Sequence, residues 1–389
     1  MSITPEQQEL CDKDRSEKLE ILREQEDHLK AKREEFGLEP IDDIIKSLPE
    51  ATPSMKKGII FSHKDFQGIV EAIKAGKPWA VVSGINPSGP LHLGHLALFK
   101  ENLALQKLGA ELFIPISEDE SYVFDKAPSL AKARFNAYEH VIPSIIALGF
   151  DPRKTHIFTG ADYPSIYSFA LHIARHFSLN QIKGVFGFSD DINAGVVFYM
   201  GGVQMAHILL PQLEEFGGPK PTVVPVGIDQ HPYIQVSRRY ARKAGMFPPG
   251  ELNLRFLPSL GGPRTKMAAS DRSTCIYVTD EVKEVKQKIK TAYTGGSPVL
   301  KYQQQHGGVP DVCSVFGMIL FHVLDGEAAG ALRQRCLGGE QMCRDCKAIA
   351  TEGIEKVLLE HQEALKQARP RIGEFMMKTP LRSIFSEKE

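Results

Sequence analysis

The 389-residue sequence has almost no net charge, no long apolar run and few cysteines. Its 47 lysines and arginines nearly cancel its 48 aspartates and glutamates, so overall charge does not indicate a polyanionic partner, although a local basic face can still exist. No segment approaches about 18 uninterrupted apolar residues, and residues 1–36 are charged from the start. These absences argue against a membrane span and a signal peptide, and we expect a cytoplasmic protein.

The six cysteines are too few for a disulfide scaffold in a chain of this size, and they are unevenly placed. Four of them, Cys313, Cys336, Cys343 and Cys346, are separated by 22, 6 and 2 residues. Four thiolates can complete either a tetrahedral zinc site or a 4Fe-4S cluster, and the final C-x2-C lets two ligands reach one centre from a single turn. The spacing therefore predicts a metal centre, and ligand count alone leaves its type open.

The hydrophobic pattern divides the chain into three regions. Residues 1–60 contain a charged, mostly solvated helix over 5–35, followed by a linker with one short helix. In residues 61–280, short apolar runs alternate with amphipathic stretches, which predicts an α/β fold with a doubly wound, parallel, Rossmann-like sheet. Residues 281–389 show helical patterns only, so we expect a helical C-terminal domain. The predicted strands are 79–85, 112–117, 155–159 and 223–228. The helices predicted after the first of these strands are 93–108, 129–148, 164–177, 231–245, 281–292, 312–323 and 341–368.

The first predicted strand ends in a glycine-rich turn that leads into His92-Leu-Gly-His95. Ligands of doubly wound sheets lie beyond the carboxyl ends of the strands, where the amides of a helix start favour anions. Gly84 and Gly89 let the backbone approach a ligand, Gly94 leaves space at the helix start, and the two imidazoles share one helix face. This arrangement could bind adenine, ribose and phosphate together, although an isolated H-x-x-H is more often a pair of capping or packing histidines.

A second loop, Gly262-Pro-Arg-Thr-Lys-Met-Ala-Ala-Ser-Asp271, carries Lys266 between glycine-rich and small residues. A mobile lysine can follow a pyrophosphate group as negative charge builds on it, which stabilises the transition state more than the ground state. Alone, this loop is a weak signal. Paired with His92-Leu-Gly-His95, in this order and about 170 residues apart, it resembles the signature of the class I aminoacyl-tRNA synthetases.

The resemblance is strongest to the tryptophanyl enzymes and extends from about Trp79 to Phe385. It is carried by Val224–Arg238, by Thr265–Asp271 and the Ile276-Tyr-Val-Thr-Asp280 that follows, and by Thr294-Gly-Gly. Tyrosyl enzymes usually differ after the lysine loop. The tryptophan-binding residues that the resemblance implies are Glu120, Gln204, Asp229 and Gln230. The sequence departs from the family pattern at Val82, Pro115 and Val226, where the family commonly has tyrosine, glutamine and cysteine, respectively.

This resemblance implies ATP-dependent activation of tryptophan, release of pyrophosphate and transfer to the 3′ end of tRNA(Trp) by a homodimer. The implied catalytic residues are His92, His95 and Lys266, assisted by Mg²⁺. The implied ATP-binding residues are Gly84, Asn86, Ser88, Gly94, Lys266, Met267 and Ser270. A tyrosyl-tRNA synthetase and a non-catalytic, synthetase-derived RNA- or nucleotide-binding protein are the alternatives.

The complete cysteine spacing also matches a subset of tryptophanyl enzymes. In that subset a 4Fe-4S cluster lies in the helical domain that contacts the anticodon. The resemblance therefore favours a 4Fe-4S cluster over zinc, and an anticodon-binding role for the C-terminal domain. Nearby candidates for RNA contact are Arg333, Arg335, Arg344 and Lys347, although such residues are more often solvated helix charges.

Overall fold

The structure is a computed structural model that describes residues 3–269 and 271–385. Helices surround a central sheet and continue alone at the C-terminal end. The α-helices are α1 Pro5–Phe36, α2 Asp42–Ser47, α3 Pro53–Lys56, α4 Gln67–Lys74, α5 Leu93–Lys107, α6 Glu118–Val123, α7 Leu130–Asn136, α8 Ile142–Ile146, α9 Ser165–Ala174, α10 Leu179–Phe186, α11 Ala194–Phe198, α12 Gln204–Leu209, α13 His231–Lys243, α14 Val282–Thr291, α15 Leu300–His306, α16 Ser314–Met318, α17 Gly326–Leu337, α18 Cys343–Ala368 and α19 Ile372–Phe375.

The central sheet has the strand order β1-β2-β7-β6-β3-β4-β5. Strands β7, β6, β3, β4 and β5 are parallel, whereas β1 and β2 pair antiparallel at one edge. The strands are β1 Glu39–Pro40, β2 Ile60–Lys64, β3 Ala80–Val82, β4 Glu111–Ile116, β5 Thr155–Thr159, β6 Thr222–Val226 and β7 Gly250–Leu254, with a separate hairpin of β8 Pro258–Ser259 and β9 Gly262–Lys266. Because the strand order changes direction at β3, the carboxyl ends of β3 and β6 border the crevice in which such folds bind ligands.

The four predicted strands are present, but the sequence did not predict β2 and β7. Glu251 and Asn253 are both fully buried in β7, so polar residues interrupt the apolar run that would have indicated a buried strand. The predicted N-terminal helix is present as α1. Its Thr4 caps the first turn, and Gly37 ends the helix in the left-handed conformation.

Helices pack on both faces of the sheet. In β4, Leu112 and Ile114 belong to one apolar cluster and Phe113 to another, as expected when successive side chains point to opposite faces. The first cluster also contains Ile289 from α14 and Ile354 from α18, so the C-terminal helices share a core with the sheet. At its end the chain returns to the sheet edge, where the Met377 amide donates to the Ile157 carbonyl at 2.8 Å.

One helical stretch, residues 194–212, is long and apolar enough to cross a membrane by length and composition. It is 72% buried inside the protein, where it contributes Met205, Ala206 and Leu209 to the cluster on the second face of the sheet. Its composition is therefore that of a core helix.

A buried carboxyl group on α5 predicts a pH dependence of stability. Burial raises the pKa of Glu101 from 4.5 to about 7, and the hydroxyls of Thr52 and Ser54 offset only part of that effect. The folded protein thus holds a proton that the unfolded chain releases, and stability falls as the pH rises from 4.5 through 7. We expect Glu101→Gln, which mimics the protonated acid, to stabilise the protein at pH 8 by up to about 3 kcal/mol and to have little effect at pH 4.5.

Thermal unfolding at both pH values checks this expectation, with the exposed Glu9→Gln in α1 as the control. An equal change in unfolding temperature at pH 4.5 and pH 8 would show that Glu101 does not titrate in this way.

Candidate active site

The turn after β3 lies against the end of β4. The Ile85 amide donates to the Pro115 carbonyl at 3.0 Å, and the Ser117 amide donates to the Ile85 carbonyl at 2.9 Å. A Cβ atom on Gly84 would lie 3.0 Å from Pro115 Cγ, so this close approach favours glycine. The turn then runs over the carboxyl end of the sheet and delivers the chain to the start of α5.

His92 and His95 form the capping box of α5. The amides of Gly94 and His95 donate to His92 Nδ1 at 3.1 and 3.4 Å, and the His92 amide donates to His95 Nδ1 at 3.4 Å. The two rings stack with their centroids 3.7 Å apart. Burial lowers the pKa of His92 to about 2, with His95 adding to the shift, and lowers the pKa of His95 to about 4. Both imidazoles are neutral near pH 7, and each keeps an Nε2–H donor because Nδ1 accepts a backbone hydrogen bond.

The sequence interpretation left capping and ligand binding as alternatives for these histidines, and the structure assigns capping to the Nδ1 side of each ring. Asn86, on the same turn, accepts the Ser121 hydroxyl hydrogen bond at its Oδ1. Its buried Nδ2 has no hydrogen-bond partner among the described residues. Asn86, His92 and His95 therefore keep donors available at the start of the helix.

Gly94 supplies the space that His92 needs. A Cβ atom at Gly94 would lie 2.9 Å from His92 Cε1 and 3.0 Å from its Nδ1, so Gly94→Ala must displace the imidazole. We expect this variant to raise the KM for ATP roughly tenfold in amino-acid-dependent pyrophosphate exchange, because a small misplacement of a donor weakens its contact with phosphate.

Gly330→Ala is the matched control for Gly94→Ala. Gly330 lies in α17, and a Cβ atom there meets nothing within 4 Å, so this change should leave the KM unchanged and slightly raise stability. If Gly94→Ala also left the KM for ATP unchanged, His92 would not need its observed position to bind ATP.

Lys266 is the last residue of the β8–β9 hairpin. Its Nζ lies 3.3 Å from Asp229 Oδ2 and 4.7 Å from the centroid of the Phe256 ring. The lysine side chain is 58% exposed and that of Asp229 45% exposed, so this ion pair is weak and can be exchanged for another anion. Met267 is buried beside it, whereas Ser270, also predicted to bind ATP, lies outside the described residues.

The lysine loop and the histidine turn are joined through the segment that follows the loop. The Leu93 amide donates to the Ile276 carbonyl at 3.0 Å, and the Val278 amide donates to the Leu91 carbonyl at 2.9 Å. The Tyr277 hydroxyl donates to the Ala269 carbonyl at 2.6 Å. A Cβ atom on Gly89 would lie 3.4 Å from that carbonyl oxygen. The two sequence motifs thus meet in space.

A cluster of polar side chains lies on the other side of the sheet end. The Tyr199 hydroxyl is 2.9 Å from Gln204 Oε1 and 3.3 Å from Glu120 Oε2. Lys126 forms an ion pair with Glu120 at 2.7 Å. Burial raises the pKa of Tyr199 well above its usual value, so the hydroxyl stays protonated. Two of the predicted tryptophan ligands, Glu120 and Gln204, are therefore brought together by a tyrosine that the sequence interpretation missed.

The other two predicted ligands, Asp229 and Gln230, lie in the turn Ile228–Gln230 that precedes α13. Asp229 contacts Lys266, so the structure places its carboxylate beside the lysine loop. Tyr233 lies in the first turn of α13; burial raises its pKa to about 12, and the charges of Glu120 and Asp229 add to the shift. Tyr199 lies among apolar residues outside every motif in the sequence, whereas Tyr233 lies inside the Val224–Arg238 segment and could have been singled out there.

The three departures from the family pattern lie along neighbouring strands. Val82 and Pro115 are buried in β3 and β4, and Val226 is the partly buried last residue of β6. All three strands direct their carboxyl ends toward the candidate site.

Residues 74–359 match the family model described as tRNA synthetases class I (W and Y). This chain belongs to that family. It is 38% identical over 342 residues to a protein of Methanocaldococcus jannaschii named tryptophan–tRNA ligase, an alignment that covers 86% of this chain and 91% of the relative. The class I fold and the aminoacyl-tRNA ligase class predicted from the sequence are thereby confirmed.

Solved structures of the family agree with this assignment. The tryptophanyl-tRNA synthetase of Aeropyrum pernix K1 matches with a TM-score of 0.82 at 31% identity, over 90% of this chain and 96% of that one. A tryptophanyl-tRNA synthetase from Encephalitozoon cuniculi, bound to tryptophan, matches with a TM-score of 0.79 at 27% identity, over 89% of this chain and 96% of that one.

The four spaced cysteines of this class I synthetase lie at the ends of three helices. Cys313 caps α16, Cys336 lies near the end of α17, and Cys343 and Cys346 lie in the first turn of α18. Burial, together with the neighbouring thiols, raises the pKa of Cys336 to about 11 and that of Cys346 to about 12. None of the six cysteines forms a disulfide. Cys313 and Cys336 lie on either side of Gly295 and Gly308, because a Cβ atom would lie 3.3 Å from Cys313 Cβ if placed on Gly295 and 2.9 Å from Cys336 Sγ if placed on Gly308.

Glycines line this cysteine region. A Cβ atom would lie 2.2 Å from Cys343 Sγ if placed on Gly296, and 2.9 Å from Cys336 Sγ if placed on Gly308. Over residues 3–269 and 271–385, no three His, Cys, Asp or Glu side chains are arranged so that they could hold a metal ion. The thiols are thus neighbours in a space kept clear by glycine, but they are not gathered around a single ion.

The basic residues predicted to contact RNA differ in their surroundings. Arg333 forms an ion pair with Asp311 at 2.7 Å, whereas Arg344 is exposed and Lys347 Nζ donates to the Lys290 carbonyl at 2.6 Å. A surface groove of about 870 Å³ lies between α14 and α18. Its charged lining consists of five basic residues, Lys286, Lys290, Arg344, Lys347 and Lys356, and three acidic ones, Glu352, Glu355 and Glu360.

Proposed function

We propose that this synthetase is a tryptophan–tRNA ligase that activates tryptophan with ATP and transfers it to tRNA(Trp). The observation that carries the proposal is that the His92–His95 turn bonds to the segment after the Lys266 loop, and that Asn86 on the same turn accepts a hydrogen bond from Ser121, the neighbour of Glu120. The relative from Methanocaldococcus jannaschii, which is named tryptophan–tRNA ligase, supports the choice of amino acid.

The ATP site is proposed to lie at the start of α5. The predicted residues are His92, His95 and Lys266, with Gly84, Asn86, Ser88, Gly94, Met267 and Ser270 lining or shaping the site. The Nε2–H groups of the two neutral imidazoles and the unpartnered Asn86 Nδ2 are donors suited to ribose and phosphate oxygens. The amide dipoles of the helix start add a favourable field for the phosphates. Mg²⁺ would accompany ATP and neutralise part of the phosphate charge.

Activation needs no nucleophile from the protein. A carboxylate oxygen of tryptophan attacks the α-phosphorus of ATP, the bond to the bridging oxygen breaks, and pyrophosphate leaves with its electron pair. Lys266 pairs with the carboxylate of Asp229. Because that pair is exposed and weak, the lysine can move to the leaving pyrophosphate, where charge increases in the transition state.

The amino acid is proposed to bind at Glu120, Gln204 and Gln230, with Tyr199 holding the first two in place. Tryptophan presents an ammonium group and an indole N–H, and these donors need acceptors in an otherwise apolar slot. The Tyr199 hydroxyl has one proton and faces two acceptors, so one of the two oxygens keeps capacity to accept from substrate. Asp229 is proposed to lie at the side of this pocket that faces Lys266.

Replacing Glu120 tests the amino-acid site. We expect Glu120→Gln to raise the KM for tryptophan roughly tenfold or more in pyrophosphate exchange, with a small change in the KM for ATP, because the amide cannot provide a charged acceptor. Lys126→Met is the matched control, since it removes the ion-pair partner of Glu120 and keeps the carboxylate. Equal effects on both KM values, or an unchanged KM for tryptophan, would exclude Glu120 from the pocket.

The complete reaction is tested by charging of tRNA. With tRNA(Trp) and tRNA(Tyr) transcripts and both amino acids, we expect charging only for tryptophan on tRNA(Trp). Tyrosine on tRNA(Tyr) would establish the tyrosyl alternative. Nucleotide or RNA binding without charging of either tRNA would establish the non-catalytic alternative.

We further propose that Cys313, Cys336, Cys343 and Cys346 hold a 4Fe-4S cluster. A tetrahedral zinc ion with Zn–S bonds of about 2.3 Å would draw four sulfurs to within about 3.8 Å of one another. The support for the larger centre is the spacing of the four cysteines, which matches that of a subset of tryptophanyl enzymes. The glycine-lined space at Gly296 and Gly308 fits the same proposal. When bound, the cluster would cross-link α16, α17 and α18 through iron–thiolate bonds.

The C-terminal helices from residue 281 are proposed to bind the anticodon, residues 61–280 to form the catalytic domain, and residues 1–60 to form an N-terminal extension. The groove between α14 and α18, in whose lining basic residues outnumber acidic ones, lies next to the cysteine-bearing start of α18, which supports this placement. We propose a cytoplasmic homodimer for the synthetase as a whole.

A further inference from the structure

The N-terminal helix α1 contacts the hairpin that carries Lys266. Gln25 Nε2 donates to the Pro263 carbonyl at 2.7 Å, and Glu24 forms a 3.5 Å ion pair with Arg264. Pro263 and Arg264 belong to β9, whose last residue is Lys266. The helix therefore bonds to the strand three residues before the catalytic lysine.

The hairpin that holds that lysine is short: Lys266 is paired with Pro258, and the hydroxyls of Ser259 and Thr265 lie 2.7 Å apart. β9 pairs with β8, which has two residues, and the residues of β9 from Arg264 onward are exposed. Much of the β9 backbone is thus left for partners other than β8. The hydrogen bond from Gln25 supplies one such partner from outside the hairpin.

Helix α1 is fixed on both sides of Gln25, so it can act as a support. Toward its start, the buried Lys18 Nζ donates to the Gly296 carbonyl at 2.5 Å, and Arg15 Nη1 donates to the Gly307 carbonyl at 2.9 Å. Toward its end, Glu26 forms a 2.7 Å ion pair with Arg255, and the Phe36 ring stacks on His231 with the centroids 4.1 Å apart. At 32 residues, α1 is about 48 Å long.

We infer that Gln25 is a positioning residue for Lys266: by holding β9 at Pro263, it keeps the lysine where it can transfer from Asp229 to the leaving pyrophosphate. The inference rests on the proposed role of Lys266 in activation. It gives the N-terminal helix, which the sequence predicts as a mostly solvated extension, a part in the chemical step. Since positioning matters most when charge builds on pyrophosphate, Gln25 affects kcat and leaves tryptophan binding unchanged.

The test compares two replacements in tryptophan-dependent pyrophosphate exchange by the full-length protein. Gln25→Met has similar length and no donor, whereas Gln25→Lys restores a donor. We expect the methionine variant to lose roughly tenfold in kcat with an unchanged KM for tryptophan, and the lysine variant to remain within about twofold of the parent. Gln287→Met, at an exposed position in α14, controls for the loss of a helical amide.

A double variant then shows whether Gln25 acts through the lysine. If it does, Gln25→Met has no further effect on kcat once Lys266 is replaced by alanine. The inference is overturned if Gln25→Met matches the parent while Lys266→Ala is slow, or if Gln25→Met costs the same factor in both backgrounds. If the kcat of Lys266→Ala matched that of the parent, the proposed role of the lysine in activation would fail. The single Lys266→Ala variant shows that result without any change at Gln25, so the two failures can be told apart.

Discussion

Lys266→Ala is expected to slow tryptophan-dependent pyrophosphate exchange on the order of 100- to 1000-fold, the range found when one preorganised donor to a developing anion is removed. The lysine is exposed and pairs with the half-exposed Asp229, so its loss leaves no buried charge unpaired. Stability and tryptophan affinity should therefore change little. Exchange kinetics, equilibrium binding of tryptophan and thermal unfolding of the same preparation measure these three quantities.

Lys283→Ala is the control for that result, because Lys283 is an exposed lysine in α14. We expect its kcat to match that of the parent. If Lys266→Ala lost tryptophan binding to the same extent as kcat, the lysine would hold the amino acid instead of the leaving group.

If the four cysteines hold the proposed 4Fe-4S cluster, Cys343→Ser is expected to abolish its visible absorption and to lower the midpoint of thermal unfolding by about 5 to 10 °C. Serine does not replace a soft thiolate ligand, and loss of the cluster would remove the cross-link among α16, α17 and α18. The expected temperature change corresponds to the loss of about 4 to 8 kcal/mol in a protein of this size. Iron and zinc analysis and visible spectra of protein purified without oxygen provide the measurement.

Cys275→Ser is the matched control. Cys275 is buried outside the four-cysteine pattern, and its Sγ donates to the carbonyls of Ala268 and Asp271, which a hydroxyl can also do. This variant should retain the iron of the parent. Zinc in place of iron in the parent would contradict the 4Fe-4S proposal and establish the zinc alternative.

The sequence predicted those parts of the site that depend on short, local patterns. The turn from β3 into α5 could be predicted because Gly84, Gly94 and the two histidines lie within twelve residues. The cysteine ligand set could be proposed for the same reason, since spacing alone selects four of six cysteines. In these cases the chemistry of the residues limits the structures that they can form.

Other parts of the site depend on contacts between distant residues, which a single sequence does not display. β7 was missed because Glu251 is buried there against His231 at 2.7 Å, so a polar pair occupies a core position. Tyr199 was missed because its environment is an apolar core helix, and only the fold brings its hydroxyl to Glu120. The contact of Gln25 with Pro263 joins residues 238 positions apart.

Tryptophan specificity is the central claim, and pyrophosphate exchange with each of the twenty amino acids tests it most directly. Tryptophan should support exchange at least about 100-fold better than tyrosine, because a slot that pairs the indole N–H leaves polar groups unpaired with other side chains. Exchange with tyrosine equal to or faster than exchange with tryptophan, or no exchange with any of the twenty, would contradict the claim.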